Sequence, residues 1–148
     1  MTIQGLLDKV KTVDLRSAVP DIIVRTKADA ILLNQLQMFQ FGLKADGNKI
    51  GEYKNKYYAQ YKNRKNPQPG FGYVDLSDKK DFYNGFTLDV TKTTFEFDSK
   101  DSKSDKLKKQ YGNTIFGLTK DSKKTYSLDT ILPAVQKYIT GKTGLKFT

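Results

Sequence analysis

The chain contains no cysteine, no histidine and no tryptophan. Lack of cysteine rules out disulfides, thiol nucleophiles and thiolate metal sites. Lack of histidine rules out Ser-His-Asp chemistry, imidazole acid–base catalysis and the ordinary zinc sites. Glutamate is nearly missing too, with only Glu52 and Glu96 present. A carboxylate-based hydrolase would have to lean on that pair, yet Glu96 falls in an alternating pattern that points it to solvent. The glycines near Gly70 and Gly72 are not followed by the Gly-Lys-Ser/Thr of a phosphate cradle, and no cofactor is expected. No apolar run is long enough for a spanning helix, so no membrane partner is expected. The first residues, MTIQGLLDKVKTVDLR, have neither a basic leader nor a long apolar stretch, and no signal peptide is expected.

What is abundant is positive charge. The formal net charge is +10, the pI is about 9.6, the apolar fraction is 37% and the mean hydropathy is −0.62. Such a chain is drawn to phosphates, acidic membranes or acidic protein surfaces. Arginine is scarce, with only Arg16, Arg25 and Arg64, so the charge resides on lysine. Lysine acts as a hydrated point charge rather than a planar reader of bases, which disfavours sequence-specific DNA readout.

The stretch Tyr53–Leu76, YKNKYYAQYKNRKNPQPGFGYVDL, concentrates tyrosine and charge. Its basic residues Lys54, Lys56, Lys62, Arg64 and Lys65 are candidates to face DNA or an acidic partner. Residues 53 to 63 have helical spacing, with Tyr53, Tyr57 and Tyr61 on one face. The ordinary reading packs the tyrosines on the core and leaves the lysines wet. The sharper one stacks bases on the rings while ammonium groups meet phosphates. Asn66–Tyr73, with Pro67 and Pro69, fits neither a helix nor a central strand. It is expected to be an extended arm, its Phe71 and Tyr73 available to a neighbour.

Elsewhere the pattern predicts an α+β domain spanning 1–148: a long N-terminal helix, a central β-hairpin and a C-terminal helix. Residues 2 to 18 form a short amphipathic docking helix or arm. The strongest helix runs over 20–43, with Pro20 in its first turn and Val24, Ala28, Leu32, Leu36, Phe39 and Leu43 as its core stripe. Ile31, Leu33, Met38 and Phe41 lie off that stripe, and this second flank suits a subunit contact. Ala45–Asn48 is a turn; it lacks the glutamate of a calcium loop. Phe86, Leu88 and Val90, then Phe95 and Phe97, alternate with polar residues as two strands of a hairpin. A lone hairpin is unstable, so it must cover a helix or gain a strand, which in a ring a neighbour could supply. Residues 99–110 are a charge run whose second half begins a helix capped by Ser102 or Ser104. The last helix is expected from Leu128 to Thr140, with Ser127 as N-cap, Pro133 as kink or true start and Gly141 as stop, followed by a mobile tail over 141–148.

Several phrases together resemble phage and prophage proteins of Bacteroidetes-type hosts. They are Asp29-Ala30-Ile31 with Leu33-Asn34 and Gln35-Leu36; Ala45-Asp46-Gly47 with Ile50 and Tyr53; Tyr57 to Asn66; Pro69-Gly70-Phe71-Gly72; Asp75-Leu76; Asp81-Phe82; and Tyr111-Gly112 with Ile115–Leu118. Their order is similar to that of the tail-completion or neck-protein family of tailed phages, with a long helix, a hairpin, a Tyr-Gly segment and the Pro133-Ala134 helix. A Leu-Thr-Gly turn commonly precedes the hairpin in that family; here the chain reads Leu76-Ser77-Asp78-Lys79-Lys80-Asp81-Phe82. The resemblance implies a small α+β subunit of the virion, made in the host cytoplasm and assembled as a homo-oligomeric ring at the head–tail junction. Its implied neighbours are portal, adaptor or tail proteins and the packaged DNA, and it implies no enzymatic activity. Leu33, Met38, Phe41, Pro67, Pro69, Phe71, Tyr73, Phe86 and Phe95 are then the expected intersubunit residues. A nonspecific nucleic-acid-binding protein is the alternative that the charge itself suggests.

Overall fold

The computed structural model describes all 148 residues. Seven α-helices accompany one two-stranded antiparallel sheet, so the α+β class and the helix–hairpin–helix order are as expected. Helix α1 is Ile3–Val10, capped by the Thr2 hydroxyl accepting from the Gly5 N–H at 3.0 Å. Helix α2, Leu15–Phe41, is the spine. It starts five residues ahead of Pro20 because Asp14 caps it: one carboxylate oxygen accepts from Ser17 N at 3.3 Å and the other from Ser17 Oγ at 2.8 Å. Proline at the sixth position forfeits only the bond to one early carbonyl, which a 27-residue helix tolerates. Gly42, left-handed at φ 62°, ends it.

The face that α2 buries is not the expected stripe. Ala18, Ile22, Ala30, Asn34 and Met38 are buried with Gln37, a row in steps of four once the half-buried Thr26 is included, whereas Val24 and Leu32 are 49% and 51% exposed. The core row contains polar residues because each performs a backbone's task. Asn34 Nδ2 donates to Ile115 O at 3.1 Å and its Oδ1 accepts from Gly117 N at 2.9 Å. Gln37 Nε2 donates to Gly117 O at 2.7 Å and its Oε1 accepts from Thr119 N at 3.0 Å. Two amides thus bracket the irregular segment 115–119 onto α2, satisfying peptide groups that burial would otherwise leave unpaired.

Helix α3 is Lys56–Lys65 and α4 the single turn Asp81–Asn84. Strands β1, Phe86–Val90, and β2, Phe95–Ser99, pair as Phe86↔Ser99, Leu88↔Phe97 and Val90↔Phe95, which puts the apolar alternates on one face as expected. That face covers α2, and Thr91 closes the hairpin through its N–H to Thr94 O at 2.8 Å. Helix α5 is Ser104–Tyr111; neither Ser102 nor Ser104 caps it, and Ser104 lies buried inside the first turn.

The C-terminal region departs most from expectation. Helix α6, Lys120–Tyr126, is capped by Thr119 rather than starting at Leu128. It passes through a π-helical turn, Ser127–Ile131, into α7, Leu132–Thr143. Leu132 N bonds back five residues to Ser127 O, so Pro133 sits where the ladder is already widened and interrupts nothing further. Ser127 is therefore no cap, Gly141 lies within the helix, and the stop is Gly144 at φ 76°.

Two apolar clusters flank α2. One gathers Met38, Ile50, Val74, Phe82, Tyr83, Phe86 and Ile115; the other Ala30, Leu88, Leu118 and Tyr126. Met38 and Phe86, expected at a subunit contact, are core residues: Met38 is fully buried, and the Phe86 ring packs edge-on to Phe82 with centroids 5.1 Å apart. No helix is long and apolar enough to cross a membrane.

Candidate interaction surface

Helix α3 and the segment after it form the most distinctive surface. Asn55 starts the helix, its side-chain oxygen accepting from Tyr57 N at 2.9 Å and Tyr58 N at 3.1 Å. What anchors the helix is Ala59 and Lys62, both buried, and not its tyrosines. Tyr57 is 82% exposed and Tyr61 44%. Tyr53 precedes the helix and is half-buried, with Tyr58 against its edge at 5.1 Å.

Lys62 is thus not part of a DNA-facing set. Its Nζ lies 2.8 Å from Asp75 Oδ1 and also donates to Ser77 O. Asp75, itself buried, accepts from Ser77 N at 2.9 Å, Asn66 Nδ2 at 2.9 Å and Tyr53 OH at 3.3 Å. Tyr83 OH donates to the Asp75 carbonyl. A buried charge persists only when paired and fully hydrogen-bonded, and this one is. Burial, with the Asp75 carboxylate beside them, pushes the phenols of Tyr53 and Tyr83 far above the ordinary tyrosine value.

The arm 66–73 does not extend away. Asn66 Nδ2 donates to Phe39 O at 2.6 Å, and Gln68 Nε2 to Phe39 O at 3.1 Å and Met38 O at 3.3 Å. Both amides satisfy carbonyls at the end of α2. Tyr73 bridges back to Glu52, and Lys49 Nζ stands 4.2 Å over its ring. The arm is therefore laced to its own domain, and Tyr73 is held within it. Pro67, Pro69 and Phe71 remain on the outside, Phe71 at 57% exposure.

The outward side of this unit presents Lys54, Lys56, Arg64 and Lys65 with Tyr57, Tyr61 and Phe71, and Lys65 Nζ is 5.6 Å from the Tyr61 ring centroid. Of the other expected contact residues, Leu33 is half-buried and Phe41 is 45% exposed; both line a groove of about 320 Å³ at the end of α2. Phe95 is half-buried at the hairpin. Little in the sequence signals that Lys62 turns inward. Its spacing of three from Ala59 is the one available sign, since those two share a face while Tyr57 and Tyr61 share another.

The chain matches no protein-family model, no curated protein and no solved structure.

Proposed function

We propose that this chain is a structural subunit of a phage head–tail junction, assembling with copies of itself and docking to adjacent virion rings around the DNA channel. One observation carries the reading: large side chains are left outside while polar ones are drawn inside to hold the backbone. Val24, Leu32, Tyr57 and Phe71 are each about half exposed or more, on a chain whose core helix buries Asn34 and Gln37. Exposed apolar surface that does not serve the fold suits contact with other proteins. The order of sequence phrases supports the phage assignment, and subunits meeting through two different surfaces form a ring when the rotation between them closes. The test is mass spectrometry of purified particles from a phage or induced prophage encoding the chain. Its presence at a low, fixed copy number is expected; its absence from particles overturns the proposal.

A second reading is favoured by the tyrosines. Tyr57 and Tyr61 stand out in solvent beside lysines, the arrangement that stacks bases and neutralises phosphates. On this reading the isolated chain binds nucleic acid without sequence preference. Filter binding at low and moderate salt discriminates: tight binding by a monomer with a steep salt slope supports it, and negligible binding at low salt ends it.

A further inference from the structure

The hairpin leaves an edge open. Lys100 N donates to Gly85 O and Thr91 N to Thr94 O, both at 2.8 Å. Antiparallel pairs alternate between exchanging and non-exchanging, so Leu88/Phe97 and Val90/Phe95 are non-exchanging. The peptide N–H and C=O groups of Phe95 and Phe97 therefore point away from β1. Ser99 N, the next in line, is already taken by Asp98 Oδ1 at 2.8 Å. The free edge is thus the three residues Phe95–Glu96–Phe97. Alongside it lies a groove of about 780 Å³ walled by Val19, Ile23, Leu118 and Ile131 with the rings of Phe95 and Phe97.

The outer face of the same edge carries a charge conflict. Asp89 stands directly across from Glu96, and neither takes part in any of the chain's ion pairs. Like charges opposite one another weaken a sheet, and in a chain of net charge +10 the missing cation is conspicuous.

One segment of the chain has the complementary pattern. Leu145-Lys146-Phe147 alternates apolar, basic, apolar in no regular structure, with Leu145 43% and Phe147 50% exposed. We infer that Leu145–Phe147 of one copy pairs as a third strand on Phe95–Phe97 of a second copy. Lys146 then lies beside Glu96 on the outer face, and Leu145 and Phe147 enter the groove on the inner one. The segment does not line its own chain's groove: helix α7, 12 residues long, carries the backbone ~18 Å along from Ile131 before Gly144 turns it. In the free chain the hydroxyls of Thr140 and Thr143 hold Leu145 at the helix end, at 2.6 and 3.1 Å, and docking exchanges these bonds for ones to β2. Donor segment and acceptor edge are different surfaces, so the contact is head-to-tail. The inference rests on the self-association proposed above only for the identity of the partner.

The test is sedimentation of the full chain across a concentration series. The native chain is expected to self-associate and Phe147→Glu to stay monomeric, with circular dichroism unchanged because Phe147 packs against no core. Glu96→Lys is expected to weaken association about two- to fivefold, and adding Lys146→Glu to restore it. Phe147→Glu associating like the native chain overturns the strand pairing while leaving self-assembly intact. If the native chain stays monomeric throughout, a peptide of residues 141–148 is titrated into the isotope-labelled chain. Amide shifts centred on Phe95–Phe97 then uphold the pairing and count against unaided self-assembly; shifts elsewhere or none overturn the pairing.

Discussion

Helices α2 and α3 both turn polar side chains inward and leave large ones outside, but by different chemistry. In α2 the inward polar groups are neutral amides, Asn34 and Gln37, each matched to two peptide groups of 115–119. In α3 the inward group is a charge, Lys62, matched to Asp75 at 2.8 Å. The irregular segments explain both. Segment 115–119 and segment 66–77 wrap helices without forming strands, so their peptide groups need side-chain partners. The two solutions differ in what happens when one partner is removed. A neutral bracket leaves unpaired dipoles, whereas a broken buried ion pair leaves an uncompensated charge.

The largest effect is expected of Asp75→Ala. It strands the Lys62 ammonium, the Tyr53 hydroxyl and the Asn66 amide together, and should cost about 3–5 kcal/mol in urea unfolding. A loss below about 1 kcal/mol would show that water reaches the pair. Asn34→Ala should come next, at about 1–3 kcal/mol, because Ile115 O and Gly117 N are left without a partner inside the core. If Asn34→Ala costs as much as Asp75→Ala, the distinction between dipole and charge fails.

Alkaline titration probes the Asp75 node. Tyr53 and Tyr83 border the Asp75 node, and burial keeps their native phenols protonated well above the ordinary value. The unfolded chain releases those protons near pH ~10, so above that pH it binds fewer protons than the native state. Their contribution is complete below pH ~10 and is lost as pH rises beyond it, by about 1.4 kcal/mol per pH unit for the buried Tyr83 and by less for the half-exposed Tyr53. Tyr83→Phe removes one such proton, and the fall of stability with pH should become shallower by that amount. An unchanged slope would mean that Tyr83 ionises in the folded protein.

Much of the fold is legible from residue order, and the failures have one cause. The hairpin is legible because Phe86, Leu88, Val90, Phe95 and Phe97 alternate and their neighbours are polar. The long helix is legible as a helix but not in its rotation. The apolar row Val24–Ala28–Leu32 outweighs the true row, which is diluted by Thr26 and Asn34. Periodicity places Lys62 at the surface for the same reason: it weighs apolar side chains and cannot see a remote peptide group that needs a partner. The helix Lys120–Tyr126 escapes the pattern because its residues are almost all polar, and the π turn hides its continuity with α7.

The smallest effect on stability belongs to the outward side of α3, and there function should change most. Lys56, Arg64 and Lys65 take part in no ion pair and their side chains are exposed. Replacing all three by glutamine should cost about 0.5 kcal/mol apiece in unfolding, the range of surface substitutions, with Arg64 and Lys65 also losing a favourable place in the last turn of α3. On the proposed function it should nevertheless weaken attraction to duplex DNA or to an acidic partner. If these three cations meet phosphates, the slope of log K against log salt should fall by about 0.9 for each phosphate no longer neutralised. The control is Lys62→Met, which removes one unit of charge from the inward side and is compared with Lys56→Gln alone. It should destabilise strongly and, in the fraction that folds, leave the salt slope where it was. A salt slope that responds equally to Lys62 and to Lys56 would mean that the two sides of α3 are not distinct in solution, and the division between anchoring and contacting faces would fail.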